Sequence, residues 1–141
     1  MADPAGYSGT PLAKKLGIVA GSRVALLQPP AGLPAWLAPL PEGVVFQTQV
    51  SAQTDLAQLF VTEQAVLVRE LAVLRAQLRP DAALWVSWPK KSSRKPTDIT
   101  EDRIREAALP LDFVDVKVCA VNEVWSGLKL VLRKALRGAS R

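Results

Sequence analysis

Residues 56–88, LAQLFV-TEQAVLVRELAVLRAQLR-PDA-ALWVSW, carry three patterns in succession. Leu56 to Val61 is a short apolar run, the pattern of a strand covered on both faces, weakened by Ala57 and Gln58. Leu67, Leu71, Leu74 and Leu78 then recur at helical spacing, with Arg69, Glu70, Arg75 and Gln77 on the opposite side. This predicts a helix from Glu63 to Arg79, with Thr62 as its cap and Pro80-Asp81 as its end. Ala83 to Trp88 is a second buried strand. A strand, a helix and a strand in that order form a right-handed crossover, so the two strands are expected to lie parallel.

The same alternation extends in both directions. Upstream, Thr10-Pro11 opens a short helix ending near Gly17, with Thr as N-cap and Pro in the first turn. Arg23 to Leu27 is a strand, stopped by Gln28-Pro29-Pro30-Ala31-Gly32. Leu33 to Leu40 holds one or two helical turns around Trp36, and Val44 to Gln47 is another strand. Downstream, Pro89 to Pro96 is a basic loop. Thr100 caps a helix with Glu101 and Asp102 in its first turn, where negative charge suits the helix dipole. In Phe113 to Val121 the residues Val114, Val116, Val118 and Ala120 alternate with Asp115 and Lys117, as in a strand with one covered face. Asn122 to Gly127 is read as a turn, and Leu128 to Arg133 as a closing strand.

Alternating β and α units predict an α/β fold: one Rossmann-like domain with a mostly parallel sheet of about six strands, a C-terminal antiparallel hairpin and helices on both faces. The expected domain covers residues 1–134, with 1–20 an N-terminal helical segment and 135–141 a basic tail without fixed structure. This pattern resembles the class I methyltransferase fold with a middle βα unit missing. A second resemblance is carried by Gly6-Tyr7-Ser8-Gly9-Thr10-Pro11-Leu12 with Lys15-Leu16-Gly17, by Leu84 to Lys91, by Thr97-Asp98, and by Asp115 to Val121 with Trp125 to Lys129. These stretches are similar to a family of small bacterial proteins known as a domain of unknown function, which implies no activity.

Composition narrows the chemistry. The chain has 141 residues, 49% of them hydrophobic and 22% charged, enough to bury one core. It has no histidine and one cysteine, Cys119. Histidine-based triads, histidine metal sites and intramolecular disulfides are therefore excluded. No apolar run approaches the ~20 residues of a membrane span, and Met1 to Gly9 lacks the pattern of a signal peptide. The expected location is the cytoplasm. With no histidine beside it, Cys119 is expected to be a small core residue.

A cofactor-binding methyltransferase needs a glycine-rich, donor-bearing loop after its first strand and an acid at the end of its second. Here the loop is Gln28-Pro29-Pro30-Ala31-Gly32 and the second strand ends in Gln47-Thr48-Gln49. No cofactor, catalytic residue or metal ligand is expected. Open α/β sheets bind ligands at the carboxyl ends of their strands. The candidate binding residues there are Gln28, Thr62, Trp88, Lys90, Lys91, Trp125 and Ser126, with both tryptophans expected on one edge. The leading expectation is a non-enzymatic or cryptic protein binding a small anionic or nucleotide ligand, or a protein partner, and not a membrane. One alternative is a diverged methyltransferase-like enzyme. Another, not favoured, is a nucleic-acid binder using the net charge of +5, through Lys90, Lys91, Arg94 and Lys95 and through Arg133, Lys134, Arg137 and Arg141.

Overall fold

The computed structural model describes residues 11–137. Thr10, the Gly6–Gly9 part of the second resemblance and Arg141 lie outside them. The described elements, in chain order, are α1 (Leu12–Lys15), β1 (Arg23–Leu27), α2 (Leu33–Trp36), β2 (Val45–Gln47), β3 (Leu56–Phe60), α3 (Gln64–Gln77), β4 (Ala83–Pro89), α4 (Glu101–Ala108), β5 (Phe113–Ala120), β6 (Trp125–Leu132) and α5 (Lys134–Arg137). They build a six-stranded sheet in the order β2-β1-β3-β4-β6-β5. β1 to β4 run parallel, while β6 is antiparallel to both β4 and β5. The expected α/β class, the mostly parallel sheet and the C-terminal hairpin are all present.

Both faces are covered, and two separate cores result. On one face Leu67, Leu71 and Leu74 of α3 and Ile104 of α4 pack against Ala57, Leu59, Leu84, Val86 and Leu130. On the other, Leu12, Leu16, Leu33 and Leu37 from α1, α2 and their flanks cover Val24, Phe60 and Trp85. Trp85 is fully buried there, and its indole Nε1 donates to the Leu16 carbonyl at 2.8 Å, fastening α1 to the sheet.

Three local expectations are corrected. The hairpin turn is tighter than expected: Asn122 Oδ1 accepts from the amides of Val124 and Trp125, so β6 starts at Trp125 and not at Leu128. In β5 the pairing slips between Asp115 and Lys117, which leaves Val116 as a bulge. Val116 and Val118 are 53% and 46% exposed on this edge strand, so the valine face is not the covered one. Finally, 135–137, the described part of the 135–141 segment expected to lack fixed structure, belong to a helical turn, Lys134–Arg137, in which Leu136 packs back on the α3 side of the core.

Candidate functional site

Strand direction brings the carboxyl ends of β1, β2, β3, β4 and β5 and the start of β6 to one edge of the sheet. The order reverses between β1 and β3, since the chain moves from β1 outward to β2 and then back past it to β3. Such a reversal opens a crevice. A cleft of about 260 Å³ lies there, lined by Gln28, Phe60, Val61, Thr62, Glu63, Val66 and Trp125. Gln28 holds a positive φ of 54°, turning the chain away from β1 at the cleft wall. Trp125 meets Phe60 edge-on, with ring centroids 5.1 Å apart and planes at 85°.

Of the expected site residues, Gln28, Thr62 and Trp125 come together in this cleft. Trp88 and Ser126 do not. They pair across β4 and β6, one position from the Pro89–Trp125 pair. Side chains alternate faces along a strand, so Trp88 belongs to the α3 core and Trp125 to the α1 core. The two tryptophans share an edge but not a face. Both are more than nine-tenths buried. Lys91 lies with Trp88 in a separate cleft of about 340 Å³.

The basic loop after β4 is an ordered strap. The Lys90 amide donates to the Val124 carbonyl at 2.6 Å, and the Lys90 carbonyl accepts from Ser93 Oγ at 2.7 Å. Farther on, Thr97 Oγ1 donates to the Thr62 carbonyl at 2.7 Å. Asp98 Oδ1 accepts from the Gln64 amide at 2.7 Å. The first turn of α3 is thus capped by Asp98 from the strap, and not by Thr62. Thr62, Glu63, Lys95, Pro96, Thr97 and Asp98 line a further cleft of about 440 Å³ between the other two.

A cleft of about 330 Å³ also opens at the amino edge, beside Asp55, Asp81 and Lys129. Its carboxylates are already engaged. Asp55 accepts from the Arg23 amide at 2.7 Å and from Arg79 at 2.6 Å, and Arg79 also holds Asp81 at 2.7 Å. Burial opposes the Asp55 carboxylate, but the Arg23 amide and the Arg79 guanidinium outweigh it and keep its pKa below the ordinary value. Asp55 and Asp98 are therefore both engaged in structural contacts, Asp55 with Arg79 and Asp98 with the Gln64 amide. Asp115 bonds Arg105 at 3.0 Å and not its strand neighbour Lys117. Cys119 is half-buried, and burial pushes its thiol pKa up against the opposing pull of Lys15 and Lys117. A thiol held protonated is a poor nucleophile.

Sequence reasoning missed Phe60 and Glu63. The signal for Glu63 was its place three residues past the β3 end, immediately before a helix. It also missed two buried polar groups beside the cleft floor. Gln58 and Ser87 are 1% and 0% exposed on the face that carries Phe60, and their side-chain polar atoms have no hydrogen-bond partner among the described residues.

No family model matches the chain, and no curated protein does. Solved structures do. An S-adenosylmethionine-dependent methyltransferase from Aquifex aeolicus aligns with TM-score 0.63 and 13% identity, over 86% of this chain and 88% of that one. The ribosomal protein L11 methylase of Lactobacillus delbrueckii subsp. bulgaricus aligns with TM-score 0.57 and 14% identity, over 86% and 77%. Aeropyrum pernix fibrillarin, solved with S-adenosyl-L-methionine bound, aligns with TM-score 0.56 and 12% identity, over 85% and 73%. The chain has the methyltransferase-like Rossmann fold. At these identities the likeness is one of fold.

The residues present do not fit S-adenosylmethionine held in the usual way. Pro29 and Pro30 offer no N–H where the loop after β1 would approach the cofactor. β2 ends without an acid to hold ribose hydroxyls, and Gln47 Oε1 is occupied by the Thr54 hydroxyl at 2.7 Å.

Proposed function

We propose that this chain is a diverged methyltransferase-like protein that binds a nucleotide-class ligand at its carboxyl edge, without cofactor-dependent methyl transfer. The observation that carries this reading is the cleft between the ends of β1 and β3. It lies where open α/β sheets place their ligands, and its wall is half apolar and half polar. Phe60, Val66 and Trp125 offer an apolar side for a ring. Gln28, Thr62 and Glu63 offer an amide, a hydroxyl and a carboxylate for ribose and base edges. Lys95 lies in the adjoining cleft, where Thr62 and Glu63 form the shared rim, and suits a phosphate. The expected small anionic ligand is thereby narrowed in class. The similarity of several stretches to the small bacterial family adds no activity.

Retained methyl transfer is the second reading, favoured by the fold likeness over most of both chains. Calorimetric titration with adenosine monophosphate and with S-adenosylmethionine separates the two. The expected result is binding of the nucleotide below millimolar concentration and none of S-adenosylmethionine at millimolar concentration. A micromolar dissociation constant for S-adenosylmethionine would restore the enzyme. Binding of neither would remove the nucleotide reading.

A further inference from the structure

We infer that the carboxyl edge accommodates a single-stranded nucleic acid, with the strap 90–95 as its phosphate-binding rail; this rests on the nucleotide reading of the switch-point cleft. Three clefts are linked end to end. The switch-point cleft and the middle one share Thr62 and Glu63, and the middle one and the Trp88 cleft share Thr97. Together their walls follow the carboxyl edge from Gln28 after β1 to Trp88 and Pro89 at the end of β4.

Charge follows this edge. Lys91 and Lys95 line its clefts, and Lys90 and Arg94 stand on the strap beside them. Among the described residues none of these four takes part in an ion pair. Arg75, Arg79, Arg103, Arg105 and Arg133 all do. The acids on the clefts are mostly neutralised: Asp98 by the Gln64 amide and Arg103, Glu101 by Arg105. Two uncompensated cations, Lys91 and Lys95, therefore line the clefts, with Lys90 and Arg94 beside them on the strap, against one such carboxylate, Glu63. The strap backbone is also held in shape by Ser93, Thr97 and the left-handed Arg94, so the positions that carry its cations are set before a ligand arrives. A row of cations beside partly apolar clefts suits a flexible polyanion carrying rings. The second basic cluster is not part of this surface, because Arg133, Lys134 and Arg137 follow the end of β6 at the amino edge.

The test is fluorescence anisotropy of a labelled ten-residue oligouridylate with the full chain at several salt concentrations, beside calorimetry with uridine monophosphate. Binding tighter than the mononucleotide by at least about tenfold is expected, with affinity falling as log K against log salt at a slope near −3, from about 0.7 per cation over four cations. Lys91→Ala with Lys95→Ala is expected to flatten that slope by about 1.4, and Lys91→Arg with Lys95→Arg to restore it. Mononucleotide binding without any gain from the oligonucleotide would overturn the rail and leave the cleft standing. Absence of both would overturn the cleft reading itself. An unflattened slope in the double alanine variant, or equal affinity for oligoglutamate, would also overturn the proposal.

Discussion

Gln58 puts a buried amide between Leu26 of β1 and Trp85 of β4. A buried polar group without a partner costs about 1–3 kcal/mol, and replacing it by an apolar group of similar shape is neutral or stabilising. Gln58→Leu is therefore expected to leave stability unchanged or raise it by up to about 1 kcal/mol in urea denaturation. A loss larger than that would mean that the amide holds a bound water or ligand. Gly127 makes the opposite case. A Cβ there would sit 3.1 Å from Trp85 Cε3 and 3.3 Å from Val121 Cγ2, with Trp85 locked by its bond to Leu16. Gly127→Ala should cost about 1–3 kcal/mol as an overpacked core, and an unchanged midpoint would show that the indole can move. Asp55 supplies a pH test. Its pKa is lowered in the folded state, so its contribution is present above the unfolded value near 3.8 and lost as pH falls through the folded value. The carboxylate is over a third exposed, so screening leaves about 1 kcal/mol or less. The stability gap between the native chain and Asp55→Asn should be present at neutral pH and close as the pH falls through the folded value, below 3.8. A gap that persists there would mean that the Arg79 contact is not ionic.

The long crossover from β3 through α3 to β4 was legible because its leucines sit on one stripe and short apolar runs flank it, the first of them interrupted by Gln58. Leu71 is fully buried at the centre of that stripe. Leu71→Ala should cost about 2–5 kcal/mol, and a change below ~0.5 kcal/mol would place the stripe away from the core. The helix start was legible to within one residue, but its cap was not. Its capping side chain, Asp98, comes from 34 residues downstream, and no local pattern can announce a partner supplied by the tertiary fold. Asp98→Ala should therefore cost about 1 kcal/mol and loosen the strap. Faster amide hydrogen exchange at Gln64 would register it, and unchanged exchange would contradict the assignment. The bulge at Val116 escaped notice for a related reason. Alternation in β5 shows a period of two, but not where a residue is inserted or whether an edge strand has a neighbour over it.

Across the whole molecule, topology placed the site edge better than composition placed the site. Parallel crossovers were enough to bring the ends of β3 and β4 and the start of β6 to the same side. They did not reveal which face each tryptophan serves, because that depends on the exact start of β6. The net positive charge was likewise visible only as a sum. In the fold it divides between an amino edge where Arg79 and Arg133 are paired with aspartates and a carboxyl edge where the strap cations are not. The proposed ligand site thus lies at the carboxyl edge of a methyltransferase-like fold. Amide chemical-shift mapping of the labelled chain during titration with adenosine monophosphate tests this most directly. The account predicts shifts at Gln28, Thr62, Glu63, Lys95 and the Trp125 indole, with Asp55, Asp81 and Lys129 unmoved. Shifts confined to the amino edge, with the Trp125 indole unchanged, would contradict it.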